Sequence, residues 1–265
     1  MEGADVNDRK ICFITCVNDE LQYEECLYYI GALDIPEGYQ IDTIAIRNAA
    51  SIFEGYNKAM ASSNAKYKVY IHQDVLIVNK MFIHDILNIF SCPQVGLIGA
   101  VGARYIPENG VWWESKEIFG RVFDSHTGSM GLLAFKQPED LMIEVAGVDG
   151  LVMITQYDVK WRDDILNGWH YYDLSQSMEF IAEGYLVVVP KCQSPWFVHD
   201  CGVVNIMNGF DQNRVLFLKH YKKAIIQNYN RFLNNLPQRI DDTQDDRIFL
   251  EYELALMRQE LLRFN

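Results

Sequence analysis

Val69-Tyr70-Ile71-His72-Gln73-Asp74-Val75-Leu76-Ile77-Val78 is an apolar run broken at its centre by a polar triplet. Short runs rich in β-branched and aromatic residues read as buried strands. A buried strand does not hold an unpaired carboxylate and imidazole cheaply, because desolvating a charge is expensive. His72-Gln73-Asp74 therefore belongs where the strand ends and opens into a cleft. In open parallel sheets, that carboxyl edge is where ligands bind. Asp74 there has the hard oxygen chemistry to hold a divalent cation against a diphosphate. The plainer alternative is a strand-end residue that caps the following helix.

Working outward, Ile11 to Val17 is a continuous apolar run and reads as a first, central strand with Asn18-Asp19-Glu20 at its carboxyl edge. Cys26, Leu27, Ile30 and Leu33 follow at helical spacing. Ile41 to Ile46 is a second strand, and Ser51-x-x-Glu54 is a capping-box pattern opening a helix through about Ser62. After the organising strand, Asn79 can cap a helix that carries Met81, Phe82, Ile86, Leu87 and Phe90, and Val95 to Val101 is a fourth strand. Strands alternating with helices of ordinary length predict βαβ units on a mostly parallel, Rossmann-like sheet. There is no G-x-G-x-x-G after the first strand and no G-x-x-x-x-G-K-[ST], so standard dinucleotide and P-loop sites are unsupported.

From Gly102 to Asp140 the pattern turns irregular, with Trp112-Trp113 and several glycines, as in a functional loop or lid. Leu141 to Ala146 and Leu151 to Thr155 read as two extended pieces meeting at a turn, Gly147-Val148-Asp149-Gly150. Trp169-His170-Tyr171-Tyr172-Asp173 leads into a helix that ends at Gly184, and Tyr185 to Val189 is a last strand. Beyond His199, residues from about 208 to 236 and from about 243 to the end have helical periodicity. The expected division is a polar tail over residues 1–10, an α/β domain over 11–202 and a helical extension over 203–265. The apolar stripes of that extension suit packing on the domain or pairing of two copies.

The 265 residues are 49% hydrophobic and 22% charged, ordinary globular values, with a formal net charge of −13. That charge argues against a nucleic-acid binder, which needs a basic stripe. It leaves room for a nucleotide, since a bound metal can supply the local positive charge. The six cysteines form no C-x-x-C pair and read as free thiols of a reducing compartment, here the cytoplasm. Neither a signal peptide nor a transmembrane segment is expected.

The ordered set Gly55-Tyr56-Asn57-Lys58-Ala59, His72-Gln73-Asp74-Val75, Asp149-Gly150, His170-Tyr171-Tyr172-Asp173, Gly184-Tyr185 and His199 resembles the family-2-like glycosyltransferases of GT-A fold, in the streptomycin-biosynthesis-protein-like branch. The resemblance covers roughly Ile11 to Gly202. It implies an inverting, metal-dependent transfer of a sugar, of hexosyltransferase type, from a nucleotide-diphosphate sugar (a UDP-sugar) to a hydroxyl of a glycan or other acceptor. Mn²⁺ or Mg²⁺ is the implied cofactor. His72-Gln73-Asp74 stands where the family has Asp-x-Asp, with its last acid kept, so Asp74 would coordinate the cation. His72 replaces the first acid and would bind metal, touch the ribose or shape the turn. The resemblance further implies donor contacts from Thr15, Asn18, Asn57, His72 and Gln73, and a sugar and acceptor pocket at Asp149 and Gly150, to which His170 is assigned as well. It makes Asp173 the general base and His199 a metal-side histidine.

Each assignment has a structural rival: Asp173 as a helix N-cap, His199 as a loop histidine, Asn57 as a solvent-facing helical residue, His170 as packing. One of Trp112 and Trp113 is expected in the core and the other against a ligand. The missing first acid admits a second reading, a nucleotide-sugar-binding module without turnover. A sugar nucleotidyltransferase shares the sheet type, but Thr15 to Glu20 lacks the glycine-rich basic signature such enzymes need.

Overall fold

The computed structural model describes residues 5–204, 207–234, 254, 255 and 258. The chain opens with β1 (Asn7–Val17), α1 (Glu20–Gly31), β2 (Gln40–Arg47), α2 (Ile52–Ser62) and β3 (Ala65–Ile71). Next come β4 (Val75–Ile77), α3 (Phe82–Phe90), β5 (Val95–Gly99), β6 (Val101–Ala103), a 3₁₀ turn (Trp112–Glu114), β7 (Ile118–Asp124), β8 (Gly131–Ala134) and β9 (Met142–Glu144). The last elements are β10 (Gly147–Val148), β11 (Val152–Thr155), α4 (Tyr172–Ala182), β12 (Leu186–Pro190), β13 (Phe197–His199) and α5 (Phe210–Asn234).

The main sheet has the order β2-β1-β3-β11-β5-β12-β9. β2, β1, β3, β5 and β12 run one way, and β11 and β9 run against them. The α/β, mostly parallel expectation therefore holds, with two reversed strands. β1 starts at Asn7, so part of the expected polar tail is strand. Local capping follows the sequence: the Asp19 side chain accepts the N–H groups of Leu21 and Gln22, and Ser51 accepts that of Glu54.

Two strands read from the sequence are each split. The run 69–78 ends in the main sheet at Ile71 and resumes as β4 in a second, six-stranded sheet, and 95–101 divides at Ala100 between β5 and β6 in the same way. Apolar content does not reveal such breaks, because both halves are buried. The second sheet (β10-β6-β7-β13-β4, with β8 on β7) also replaces the irregular insertion expected over 102–140. Apart from β7, its strands have two to four residues, too short for periodicity to register. Gly120 at φ +105 permits the tight approach there, where a Cβ would lie 2.2 Å from the Ala100 carbonyl oxygen. β9 and β11 do not pair at a shared turn; β9 pairs with β12, whereas β11 sits antiparallel between β3 and β5.

α5 joins the same hydrophobic core as the sheets. Phe217, Tyr221, Ile225, Tyr229, Phe232 and Leu233 form its buried stripe, and Tyr105 packs on Tyr229 and Phe232 at ring-centroid distances of 4.7 and 5.4 Å. This stripe is covered by the chain itself, which removes it as a surface for pairing two copies. The helix read from about 243 to the end lies outside the described residues except at 254, 255 and 258. Among the described residues, no helix is long and apolar enough to cross a membrane.

Candidate active site

The crossings between the two sheets meet at the carboxyl edge of β3 and β5. The turn His72-Gln73-Asp74, the turn Asp149-Gly150 and the end of β13 are locked together through the backbone. His72 N–H donates to the Leu151 carbonyl (3.1 Å), Asp149 N–H to that of Val101 (2.9 Å) and Asp200 N–H to that of Asp74 (2.8 Å). The loop into α4 supplies His170 to Asp173. Tyr171 there adopts the left-handed conformation, φ 63°, which costs a non-glycine residue about 1–3 kcal/mol and marks a conformation held by its surroundings. These parts border a cleft of about 900 Å³.

His72, Asp74, Trp112, Trp113, Asp149, Gly150, His170, Asp173 and His199 all line this cleft. Trp112 is the buried indole (7% exposed) and Trp113 the open one (45%). Thr15, Asn18, Asn57 and Gln73 are not among the lining residues. Thr15 lies buried in β1 between its two neighbouring strands. The Asn57 amide donates to the Trp161 carbonyl (2.9 Å) and accepts the Trp161 N–H (3.0 Å), so both ends are used by the protein. Gln73 accepts the N–H groups of Asn18 and Asp19 (2.8 and 3.0 Å) and donates to the side chains of Asn18 and Gln22 (2.5 and 3.1 Å). It clamps the β1–α1 turn to the end of β3. These four side chains, expected as donor contacts, are buried or engaged by the protein. None of the rival cap roles falls to Asp173 either, since the N-cap position of α4 is Tyr171.

The structure adds Asp124, His126, Trp169 and Cys201 to the cleft. A partial sequence signal existed for two of them: Ile118 to Phe123, apolar but for Gly120 and Arg121, runs into a polar triplet, Asp124-Ser125-His126, much as 69–71 runs into 72–74.

Two histidines face one carboxylate. Asp74 Oδ1 is buried without a hydrogen-bond partner, 3.6 Å from His199 Nε2 and 4.0 Å from His72 Nδ1. The far nitrogen of each ring is engaged. His199 Nδ1 pairs with Asp124 Oδ2 (2.8 Å), and His72 Nε2 pairs with the Tyr172 hydroxyl (2.5 Å). Such outer partners fix the orientation of each ring and turn its inner nitrogen toward Asp74. The ligand atoms of His72, Asp74 and His199 lie within 4.8 Å of one another, and those of Asp124, His199 and Cys201 form a second such group.

The electrostatics agree. Burial lowers the pKa of His72, only partly opposed by Asp74, so the ring is neutral. Burial also disfavours charge on His199, but its bonds to Asp124 and Cys201 and the Asp74 charge outweigh this and raise it to about 10. Burial pushes the Asp124 carboxyl up, and hydrogen bonds from His199 and His126 more than reverse this, to about 2. An imidazolium held between two carboxylates shows that the site favours positive charge, and a cation would displace its proton at Nε2. Across the cleft, burial and then the neighbouring Asp149 raise Asp173 to about 7. Among the described lining residues there is no lysine or arginine.

Gly150 is required by the packing of Tyr172. A Cβ there would lie 2.1 Å from the Tyr172 hydroxyl, and Tyr172 is backed by Phe53, Tyr56 and Trp161. Gly150→Ala should cost about 1–3 kcal/mol, as overpacking does, and break the Tyr172–His72 bond. The check is a melting temperature several degrees below wild type; an unchanged value would mean Tyr172 moves freely.

A family model described as "Glycosyltransferase like family" matches residues 12–221. Among solved structures, the S. aureus TarS fragment 1–349 in complex with UDP-GlcNAc is 11% identical, with a TM-score of 0.53 over 94% of this chain and 81% of that one. A second structure of the same fragment is 10% identical, TM-score 0.50, over 93% and 87%. The mannosyltransferase PcManGT from Pyrobaculum calidifontis, in complex with GDP-Man and Mn²⁺, is 11% identical, TM-score 0.49, over 96% and 73%. At these identities the TarS matches establish a shared fold. No curated protein sequence matches the chain.

Proposed function

The chain belongs to the glycosyltransferase-like family, and from that premise we propose that it is an inverting, metal-dependent enzyme that moves a sugar from a nucleoside-diphosphate sugar to an acceptor hydroxyl. The observation that carries the reading is the orphaned Asp74 Oδ1 faced by the inner ring nitrogens of His199 and His72, with Asp173 in the same cleft. Asp74, His199 and His72 would hold Mn²⁺ or Mg²⁺. The cation supplies the positive charge that the leaving diphosphate needs, in a cleft with no lysine or arginine among its described lining residues. Asp173 takes the proton of the attacking hydroxyl. One base suffices for a single displacement with inversion, and a carboxyl raised to about 7 is matched to proton transfer near neutral pH. Asp124 orients His199 through Nδ1, and Asp149 keeps the proton affinity of Asp173 high. TarS was solved with UDP-GlcNAc, which makes UDP-sugars the first donors to test.

The test is a thermal-shift panel of nucleotide sugars with Mn²⁺, with Mg²⁺ and with chelator. A ligand present at about 100 times its Kd adds about 2.7 kcal/mol to the folded state. One donor should raise the melting temperature with metal and not with chelator. If no nucleotide sugar does so, the reading fails. Binding without turnover of any acceptor would favour the non-catalytic module instead.

The pH dependence follows from Asp173. The base works deprotonated, so kcat/KM should rise with pH and level off above about 7. The same raised value means the folded state holds this proton more tightly than the unfolded chain. Its stabilising contribution is present below the ordinary carboxylate pKa of about 4 and is lost as pH rises through about 7. A profile flat from pH 5 to 8 would remove Asp173 as the base.

A further inference from the structure

We propose that the acceptor is an uncharged sugar ring that stacks on an aromatic rim formed by Trp113, Trp169 and Phe210, and that the cleft rejects acceptors bearing negative charge. This rests on the transferase reading above and names the substrate class of the same site.

The rim is built from three separate parts of the chain. Trp113 comes from the 3₁₀ turn, Trp169 from the loop before α4, and Phe210 is the first residue of α5. Phe210 is the hub: its ring lies 5.5 Å from that of Trp113, 5.6 Å from His170 and 5.1 Å from Tyr171. Trp113 is 45% exposed and Trp169 43%. Indoles gathered in an open cleft mark a binding surface rather than core. Their faces suit the C–H face of a pyranose, which is flat and apolar on one side. The hydroxyl edge of such a ring would find polar partners in Asn208 and His170, which hydrogen-bond each other at the same place (2.5 Å).

Charge decides between acceptor classes. The carboxylates lie deeper than the indoles: Asp124 is 9% exposed and Asp74 18%, against more than 40% for the two tryptophans. Asp74, Asp124, Asp149 and Asp173 line the cleft, and no lysine or arginine does among the described residues. A phosphate or carboxylate on the acceptor would find no lysine or arginine among the described lining residues, and His199 is already held between Asp124 and Asp74, so the acceptor would approach these acids through a medium less screening than water.

The experiment uses the full chain with a panel of methyl hexopyranosides, their 6-phosphates and their 6-amino counterparts. Binding is read by tryptophan fluorescence and acceptor KM by transfer, with the donor-induced rise in melting temperature followed in parallel. At least one neutral glycoside should change the fluorescence, and its 6-phosphate should bind more than about tenfold more weakly. Trp113→Ala and Trp169→Ala should each raise the acceptor KM several-fold, up to about tenfold, the size of one aromatic contact, and Trp113→Phe should restore most of the loss. Equal or tighter binding of the phosphates, tightest binding of the amines, or an acceptor KM indifferent to both alanine variants would overturn the proposal. A normal donor-induced shift with no neutral glycoside bound would also overturn it, while loss of the donor shift in the wild-type chain counts against the transferase reading instead.

Discussion

Asp173→Asn should lower kcat for sugar transfer by roughly 10²–10⁴-fold, the contribution of a positioned general base. The substitution keeps the shape of the side chain. Asp173 Oδ1 accepts the Leu174 N–H at 2.8 Å, and an amide oxygen can do the same. Donor affinity should stay near wild type, because the base faces the acceptor and not the diphosphate. The folded state should not suffer. Burial and Asp149 disfavour the charge on Asp173, so its removal above pH 7 relieves a repulsion. The measurement is kcat and donor Kd on one preparation, with a melting temperature at pH 8 at or above that of wild type. A variant that transfers at the normal rate has lost nothing, and the base lies elsewhere. A variant that loses donor binding along with turnover places Asp173 on the donor side.

Asp74→Asn should be as damaging by a different route. The carboxylate is the one anionic group in the His72–Asp74–His199 set, and an amide is a far weaker ligand for a hard cation. With no lysine or arginine among the described lining residues, only His199 is left to offset charge on the leaving diphosphate, and Asp124 already pairs with it. Metal stabilisation of that charge is worth several kcal/mol, so a loss of about 10³-fold in kcat/KM is expected. The distinguishing measurement is metal dependence. Donor binding measured with and without Mn²⁺ should differ for wild type and coincide for the variant. A variant whose donor affinity still responds fully to Mn²⁺ would move the cation to the neighbouring Asp124, His199 and Cys201 group.

Much of this site can be read from residue order. An apolar run that stops at a polar triplet marks the carboxyl edge of a strand, and His72, Asp74, Asp149, Gly150, Asp173 and His199 all reach one cleft. The donor contacts were less legible. Asn57 and Gln73 carry amides that look equally suited to a ligand or to the backbone, and in the fold both are spent on backbone groups more than 50 residues away. Such partners satisfy buried or half-buried polar atoms, and sequence spacing contains no record of them. Thr15 is 1% exposed, in a stretch of β1 that is buried on both faces.

Periodicity and capping residues suffice to establish an α/β sheet protein with a polar triplet at the carboxyl edge of β3, since these depend on neighbours a few positions apart. The second sheet, the breaks at 72–74 and at Ala100, and the closing of the cleft by Phe210 of α5 arise from contacts between distant segments. So does the pairing of Asp124 with His199, 75 residues away. That contact orients the imidazole toward Asp74. A carboxylate's role depends on which partners reach it and which do not, and that is settled when the two sheets pack.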